Sequence, residues 1–434
     1  MAVEWVQCAL ADACSAIDYG LTASGADHDV GPRFLRITDI VSEHIDWSKV
    51  PHVVADDETA AKYRLDDGDI VLARTGASTG ASAYVKDPPT AVFASYLVRL
   101  KVKAGFDPRF LSYYLKSEGF WSFIRGVLGD KSAQPNASAS TMTKAPLCAP
   151  RDKAEQRAIA HILGTLDDKI ELNRRMSETL ESMARALFKS WFVDFDPVRA
   201  KVEGRDTGLP KHIDSLFPVS FEESEFGEIP NGWSVGTLAN YSSLNSEAWS
   251  KKTRPSVINY VDLSNTKWGR IEVITAHARQ DAPSRAQRIL RLQDTIVGTV
   301  RPGNGSYALI SEDGLTGSTG FAVLRPLRIE YTEFVYLAAT ATETIDVLSH
   351  LADGGAYPAV RPEVVAATPV VLPSGDVLGK FSRLVKPLLA KIAGNDRESR
   401  TLAALRDALL PKLLSGEIRV GDYKKENMKV RIQS

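Results

Sequence analysis

Two glycine-rich segments are the places where this sequence could bind a phosphate group. They read Gly-Ala-Ser-Thr-Gly-Ala-Ser at 76–82 and Gly-Asn-Gly-Ser at 303–306. Neither contains the Gly-Lys-Ser/Thr with which a phosphate-binding loop holds a nucleotide and its metal ion. The seven histidines and three cysteines lack metal-ligand spacing, and no Gly-x-Ser-x-Gly nucleophile elbow is present. The sequence therefore favours a binding protein without a catalytic residue, cofactor or metal of its own.

A third segment has part of a catalytic motif. Asp87-Pro88-Pro89-Thr90 shares its first three residues with the D-P-P-aromatic signature of adenine methyltransferases. The aromatic residue that would stack on the base is missing, and no glycine-rich cofactor strand precedes the segment. We interpret it as a turn, since two prolines after an aspartate favour one.

The chain contains one internal duplication. Trp5 and Leu10 recur as Trp233 and Leu238, 228 residues later, and Lys169-Ile170 recurs as Lys391-Ile392, 222 residues later. A duplicated domain can fold with an internal two-fold axis, which suits a pseudo-two-fold ligand such as duplex DNA. With two copies the repeat is not a solenoid array.

Each copy begins with a globular domain of mixed α/β character, predicted over 1–150 and 229–373. In the first copy, short β-rich runs at 34–40, 69–73, 82–85 and 92–102 alternate with Gly, Pro, Asn and Asp. Apolar spacing over 106–124 predicts one helix after them.

A long helix ends each copy. After Pro150, the Asp152-x-x-Glu155 pattern predicts a helix start with a capping box. Apolar residues then follow heptad spacing on 151–192, and the second copy carries a similar stripe on 374–418. A helix of about 40 residues would be about 60 Å long and could not bury this stripe alone, so the two helices are expected to pair.

Four residues interrupt or limit these stripes. Asn173 and Asn395 stand at equivalent places, where a polar residue would fix the register of a coiled coil; alternatively both lie at its edge in water. Pro387 predicts a kink or a late start in the second helix, and Pro411 precedes its end.

The remaining segments connect or follow the copies. Residues 193–228 are rich in proline, glycine and charge, which predicts an extended linker. Residues 419–434 are basic and polar and are predicted to be a frayed tail.

Composition adds general limits. The 434 residues carry a net charge of −1, so any contact with DNA must come from locally clustered Arg and Lys. The expected location is a reducing cytoplasm, since no run of about 18 apolar residues and no secretory signal is visible and the cysteine number is odd.

Several motifs together resemble one family. Gly227–Trp233 (GEIPNGW) resembles the opening of a target recognition domain in the specificity subunits of type I restriction-modification systems. Asn395–Ile418 resembles the C-terminal conserved helix of these subunits, and Gln156, 169–175 and 186–198 resemble their central conserved helix. The segments 68–76 and 294–303 also match, although the first copy lacks the G-E-I-P opening.

The resemblance implies an α+β fold of two target recognition domains, with the long helices paired as an antiparallel coiled coil under pseudo-two-fold symmetry. Each domain would read one half of a split site in double-stranded DNA, and the helices would set the distance between the halves. Two methyltransferase subunits, carrying S-adenosylmethionine, and restriction subunits would be the partners, with no membrane involved.

In this interpretation, specific side chains contact bases or phosphates. Arginine, lysine and amide side chains suit base edges, and hydroxyls suit phosphates. We expect Arg74 and Arg301 to be the strongest candidates, because both precede glycines at places we take as equivalent. The candidates are Arg74, Thr75, Ser78, Lys86, Lys131, Ser132, Gln134 and Asn136 in the first copy and Lys251, Lys252, Arg254, Arg301, Asn304 and Ser306 in the second.

Other functions and roles remain open in the sequence. The chain could be a self-contained DNA methyltransferase or nuclease, or a coiled-coil scaffold that binds no DNA. Trp191 and Phe192, at a helix end, could contact a partner, although packing on the neighbouring domain is favoured. Tyr260 and Trp268 could flank the second site or belong to the core.

Overall fold

The computed structural model describes residues 4–40, 44–129, 136–225, 227–250, 252–352 and 358–420. The chain divides into two compact units. Unit 1 is Met1–Leu172 with Glu398–Ser434, and unit 2 is Asn173–Arg397. Both boundaries fall inside the long helices, so each unit contains part of each helix.

Unit 1 has the elements β1 (Trp5–Ala9), β2 (Cys14–Tyr19), β3 (Arg33–Leu35), α1 (Asp57–Lys62), β4 (Ile70–Ala73), β5 (Ser82–Tyr84), β6 (Ala91–Phe93), β7 (Leu97–Val102), α2 (Pro108–Tyr114), α3 (Glu118–Leu128), α4 (Ala139–Met142), β8 (Pro146–Pro150) and the first half of α5 (Lys153–Phe192). The central sheet has the order β2-β7-β4-β5 and is antiparallel. β1 pairs with β8 antiparallel, and β3 pairs with β6 parallel.

Unit 2 contains α6 (Asp196–Val202), α7 (Lys211–Asp214), β9 (Phe221–Ser224), β10 (Gly227–Pro230), β11 (Ser234–Thr237), β12 (Ser242–Leu244), β13 (Val257–Val261), β14 (Thr266–Lys267), β15 (Arg270–Ile271), β16 (Thr275–Ala278), β17 (Ala286–Leu290), β18 (Thr295–Gly298), β19 (Tyr307–Leu309), β20 (Leu315–Ser318), β21 (Phe321–Pro326), α8 (Thr332–Ala339), α9 (Thr342–Ala352), α10 (Pro362–Ala366), β22 (Pro369–Leu372) and α11 (Gly375–Leu414), which continues into unit 1. Its sheet β12-β21-β18-β19 repeats the order of β2-β7-β4-β5. The pairs β11–β22 and β13–β20 repeat β1–β8 and β3–β6. The duplication seen in the sequence is therefore a duplication of topology.

Within each unit the long helices run antiparallel. In unit 1, Ile159 and Leu163 share a core with Leu413, while Lys169, further along α5, pairs with the earlier Glu398 at 3.3 Å. In unit 2, Asn395 of α11 lies near Asn173 of α5. Phe381, which comes earlier in α11, packs on Phe192, which comes later in α5. The tandem domain-plus-helix fold is confirmed.

The predicted apolar stripes are only partly correct. Met183, Leu384 and Leu405 are exposed, although heptad spacing placed them in the seam. Side chains such as Ala184 and Phe188 are buried instead, because this part of α5 packs on the core of its own domain as well as on α11.

The two seam asparagines are buried, which excludes the alternative that both lie in water. Each is 1% exposed, and the amide of Asn395 donates to Ser177 Oγ at 3.2 Å. The Oδ1 atom of Asn395 is buried and has no hydrogen-bond partner in the described part of the chain. This geometry is compatible with a register-fixing role, which stays a prediction.

Two predictions about elements were wrong, and one of the two alternatives for Pro387 is excluded. The helix predicted over 106–124 is two helices, because Ser117 caps α3 by accepting from the Phe120 amide. α11 begins at Gly375 and continues through Pro387, so the helix has no late start. The Glu155 carboxylate accepts from the Val420 amide at 3.2 Å, in place of the predicted capping box.

The segment 193–228 is not an extended linker. It carries α6, α7 and β9, and Phe195, Val198 and Phe217 are buried in the core of unit 2. Trp191 packs edge to face on Phe217 with ring centroids 4.9 Å apart. Trp191 and Phe192 are therefore core residues, as favoured from the sequence, because apolar side chains in this segment cover the end of α5.

Candidate nucleic-acid interface

A buried aspartate organises the start of the same strand in both units. Asp69 Oδ2 accepts from the Asp66 amide at 2.9 Å, and Asp294 Oδ2 accepts from the Arg291 amide at 2.8 Å. A cation on the neighbouring strand faces each carboxylate. Lys101 Nζ lies 3.6 Å from Asp69, and Arg325 Nη2 lies 2.9 Å from Asp294. These aspartates hold the turns before β4 and β18 and are structural residues.

Hydrogen-bonded ion pairs around the second turn favour the charged forms of its side chains. The hydrogen bond to Asp294 raises the pKa of Arg325. Hydrogen bonds from Arg291 and Arg325 lower the pKa of Glu247 to about 2. In the first turn, burial raises the pKa of Asp69. Ion pairs therefore stabilise the turn before β18, whereas in the turn before β4 burial disfavours the charged form of Asp69.

The loops that follow β4 and β18 have the same pattern of backbone hydrogen bonds in both units. In unit 1, Arg74 N donates to Tyr96 O at 3.1 Å, Ala137 N donates to Arg74 O at 3.0 Å, and Thr75 bridges to Asn136. We call residues 74–76, 95–96 and 136–137 the strand-end edge of unit 1. This edge brings the candidate residues Arg74, Thr75 and Asn136 together, which is expected of residues that form one site.

The strand-end edge of unit 2 consists of 299–301, 319–320 and 358–361. Here Thr299 N donates to Gly320 O at 2.8 Å, Val360 N donates to Thr299 O at 2.9 Å, and Val300 bridges to Ala359. Arg301 N donates to Pro358 O at 2.9 Å. The hydrogen-bond pattern of unit 1 is therefore repeated.

This pattern corrects the predicted equivalence of Arg74 and Arg301. The pairing of β4 with β7 and of β18 with β21 aligns Ala73 with Gly298, so Arg74 matches Thr299. Arg301 matches Gly76, and both have left-handed backbones, with φ of 46° and 75°. The two arginines therefore differ by two positions in equivalent loops. They looked equivalent in the sequence because a glycine follows each of them two residues later.

Arg74 is held by an aromatic ring. Its guanidinium carbon lies 4.9 Å from the centre of the Tyr19 ring, and its Nε is buried without a hydrogen-bond partner in the described residues. The Tyr19 hydroxyl accepts from the Ala139 amide at 3.0 Å. A cation–π contact with a tyrosine whose own hydroxyl is hydrogen-bonded therefore positions the guanidinium of Arg74.

The other candidates of the first copy have different surroundings. Ser78 is half-buried in the turn after Gly76, and Asn136 is exposed. Lys86 Nζ lies 3.2 Å from Asp168 on α5, so the structure places it in an ion pair away from the strand-end edge. Lys131, Ser132 and Gln134 lie outside the described residues.

The second copy shows a similar division. Arg301, Asn304 and Lys252 are exposed, whereas Lys251 lies outside the described residues. The Arg254 guanidinium donates to Ser284 O at 3.1 Å. The remaining candidate, Ser306, is buried and donates its hydroxyl to Leu263 O at 3.0 Å, so its side chain is committed inside the domain.

The two aromatic candidates of the second copy, Tyr260 and Trp268, have different environments. Tyr260 is buried, as core packing predicts, whereas Trp268 is 58% exposed. The Trp268 ring contacts Tyr307 edge to face, with centroids 6.0 Å apart.

Sequence reasoning missed three residues at these edges: Tyr96, Arg285 and Arg361. Tyr96 and Arg361 belong to segments that reach the edge from distant parts of the chain. Arg285 is tied to the edge through its carbonyl, which accepts from Thr319 N at 2.8 Å. An alignment of the two copies would have indicated that 359–361 belong to the edge of unit 2, because the candidate Asn136 in unit 1 matches Ala359.

The described ranges contain no group of three or more His, Cys, Asp or Glu arranged to hold a metal ion. No helix among them has the length and apolarity needed to span a membrane.

The chain thus contains two tandem α/β domains, each of which has the same loop edge. Residues 40–182 match the family model of the type I restriction modification DNA specificity domain. The chain is 26% identical over 414 residues to the type I restriction enzyme HindI specificity subunit of Haemophilus influenzae, covering 82% of this chain and 88% of that protein.

Further relatives agree. The type I restriction enzyme MjaIX specificity subunit of Methanocaldococcus jannaschii is 25% identical over 338 residues, covering 73% of this chain and 71% of that one. The fold matches the S subunit of a type I restriction-modification system from M. genitalium, with a TM-score of 0.57, 16% identity and coverage of 95% and 96%. In sequence and in fold the chain is therefore similar to type I restriction-modification specificity subunits.

Proposed function

We propose that each unit of this specificity subunit reads one half of a split DNA site through its strand-end edge. The observation that carries the proposal is the repeated edge, with the same hydrogen bonds on different side chains. A repeated frame with different side chains suits two half-sites of different sequence. Phosphate contacts would position each domain, and base contacts would specify the sequence.

The recognition domains are proposed to be 1–150 and 229–373, with the central helix 151–192 and the C-terminal helix 374–418 forming the coiled coil. The helices would dock two methyltransferase subunits and, with them, the restriction subunits. S-adenosylmethionine would be bound by the methyltransferase subunits. In this proposal the present chain supplies recognition and performs no catalytic step.

The test is to map modified bases in the host genome with and without this gene. We expect methylated adenine at one split motif to disappear when the gene is removed. The control strain carries the gene with Arg125→Ala, which changes an exposed arginine paired with Glu118 in unit 1. Its methylation should equal that of the parent.

An unchanged methylome, with the methyltransferase partner expressed, would contradict the proposal. The coiled-coil scaffold would then be the better interpretation. Binding of S-adenosylmethionine to the isolated chain would instead favour a self-contained methyltransferase.

A further inference from the structure

The strand-end edge of unit 2 collects arginines from separate segments. Arg301 lies on the edge and is bonded to Pro358, three residues before Arg361. Arg285 O accepts from Thr319 N, whose neighbour Gly320 accepts from Thr299 N. Backbone hydrogen bonds therefore hold these three arginines at one end of the unit.

The charges of these arginines are not neutralised within the described residues. Arg285, Arg301 and Arg361 are exposed, and none of them forms an ion pair there. A fourth cation is adjacent, since the Arg254 guanidinium donates to Ser284 O. Two acidic groups lie nearby. Asp262 and Arg285 both influence the pKa of the buried Tyr260. Glu363, two residues after Arg361, influences the pKa of Arg288. Exposed arginines without carboxylate partners are suited to DNA phosphates.

The same edge of unit 1 has a different surface. Tyr96, which matches Gly320, is 60% exposed, and Tyr19 is 44% exposed beneath the guanidinium of Arg74. Within the described residues of this edge, one arginine and two tyrosines thus stand where unit 2 has a set of arginines. Tyrosine side chains make apolar contacts and hydrogen bonds and neutralise no phosphate charge, so the strength of their contacts depends little on salt.

We propose that the two units hold DNA by different chemistry at equivalent edges. Unit 2 anchors the duplex through phosphate contacts of Arg285 and Arg361, and unit 1 adds an aromatic contact of Tyr96 with its half-site. The proposal rests on the proposed function, because it assumes that both edges face DNA. It predicts that the salt dependence of binding comes mainly from unit 2.

The experiment measures DNA affinity between 50 and 200 mM salt, a range over which phosphate contacts change affinity strongly. It uses the full chain with the methyltransferase subunits of the same host. The probes are a duplex of roughly 30 base pairs with the methylated motif and two duplexes with one half-site scrambled; about 30 base pairs leaves flanking phosphates on both sides. The variants are Arg285→Gln with Arg361→Gln, and Tyr96→Ala.

Two matched controls accompany these variants. Arg205→Gln removes an arginine of unit 2 that is paired with Glu203 at 2.5 Å. Val54→Ala shortens an exposed apolar side chain of unit 1. Both controls should reproduce the parent in affinity, salt slope and discrimination.

The double arginine variant should lower the slope of log affinity against log salt by about two, since each phosphate contact contributes about 0.9. Tyr96→Ala should leave the slope unchanged and reduce discrimination at one half-site about tenfold. An unchanged slope in the arginine variant, or a Tyr96 variant that discriminates like the parent, would overturn the inference. If the parent itself did not distinguish cognate from scrambled duplexes, the proposed function would fail instead.

Discussion

At the scale of single residues, the environment of a side chain decides whether it can reach a ligand. Arg74 and Arg301 lie at the strand-end edges, whereas Lys86 is in an ion pair with Asp168 and the Ser306 hydroxyl bonds to Leu263. All four are polar residues that the sequence offered as candidates for contact with DNA. A contact with DNA is therefore expected from the two arginines and not from Ser306.

The first prediction concerns these arginines. Arg74→Ala should reduce discrimination at one half-site about tenfold and leave the other half unchanged, and Arg301→Ala should do the reverse. A well-placed base contact contributes about 1–3 kcal/mol, which supports this magnitude. Competition binding with half-scrambled duplexes measures both effects, and Arg125→Ala is the control. Equal losses at both half-sites in both variants would contradict modular recognition.

A second prediction concerns a buried carboxyl on α8. Glu333 is 3% exposed, its Oε2 is buried without a hydrogen-bond partner in the described residues, and Ser382 and Lys386 lie near it. Burial raises the pKa of Glu333. The folded state therefore favours the protonated acid, and stability from this group is lost as pH rises through the raised pKa.

Glu333→Gln should remove this loss, because an amide has a similar shape and no charge. We expect the unfolding temperature of the variant to exceed that of the parent at pH 8 by more than at pH 5. Thermal unfolding at both pH values measures the difference. Glu343→Gln, at an exposed glutamate of α9, is the control and should show no such dependence. A variant that is less stable at pH 8 would refute the interpretation.

At the scale of elements, the long helices show how local pattern and tertiary packing share control. Heptad spacing predicted both helices, and each spans 40 residues. The exposed Met183, Leu384 and Leu405 show that the seam is not a simple two-helix stripe. Each helix also packs on its globular neighbour, so the buried face rotates along its length.

The third prediction concerns the buried seam asparagine. Asn395→Leu should raise the free energy of unfolding by about 1 kcal/mol, because Oδ1 of Asn395 is buried without a hydrogen bond. If Asn395 fixes register, the variant should also populate additional oligomers. Urea unfolding and light scattering measure the two effects. Ala390→Leu, at an exposed position of α11, is the control. A destabilised, monodisperse variant would contradict both expectations.

At the scale of the whole molecule, duplication preserved the frame of each unit while its side chains diverged. Sheet order, strand pairing and the loop hydrogen bonds repeat. The aspartate turn also repeats, with Lys101 in unit 1 where unit 2 has Arg325. Each unit has its own buried core, so damage to one turn should remain within its unit.

The fourth prediction tests this independence. Arg325→Gln should cost about 3 kcal/mol, because the side chain of Asp294 is fully buried and would lose its charge partner. Lys101→Gln should cost about 1 kcal/mol, since Lys101 is 3.6 Å from Asp69 and also contacts the exposed Asp66. Hydrogen exchange should increase in unit 2 for the first variant and in unit 1 for the second. An increase spread over both units would show that they do not open independently.

The sequence by itself determined the features that depend on local pattern. Strand alternation, heptad spacing and the duplicated motifs were sufficient for the α+β class, the two copies and the two long helices. These signals lie within short stretches, where side-chain period reflects secondary structure directly. The motifs also led to the specificity-subunit family, with which the comparisons agree.

Only the tertiary structure decided which residues share an edge. Arg74 and Arg301 looked equivalent because glycines follow both, yet strand register separates them by two positions. Tyr96 and Arg361 reach the edges through hydrogen bonds between segments far apart in sequence. Likewise, 193–228 has the composition of a linker but folds on the core, because Phe195 and Phe217 find apolar partners that are distant along the chain. Long-range pairing and burial have no local period, and the sequence alone could not reveal them.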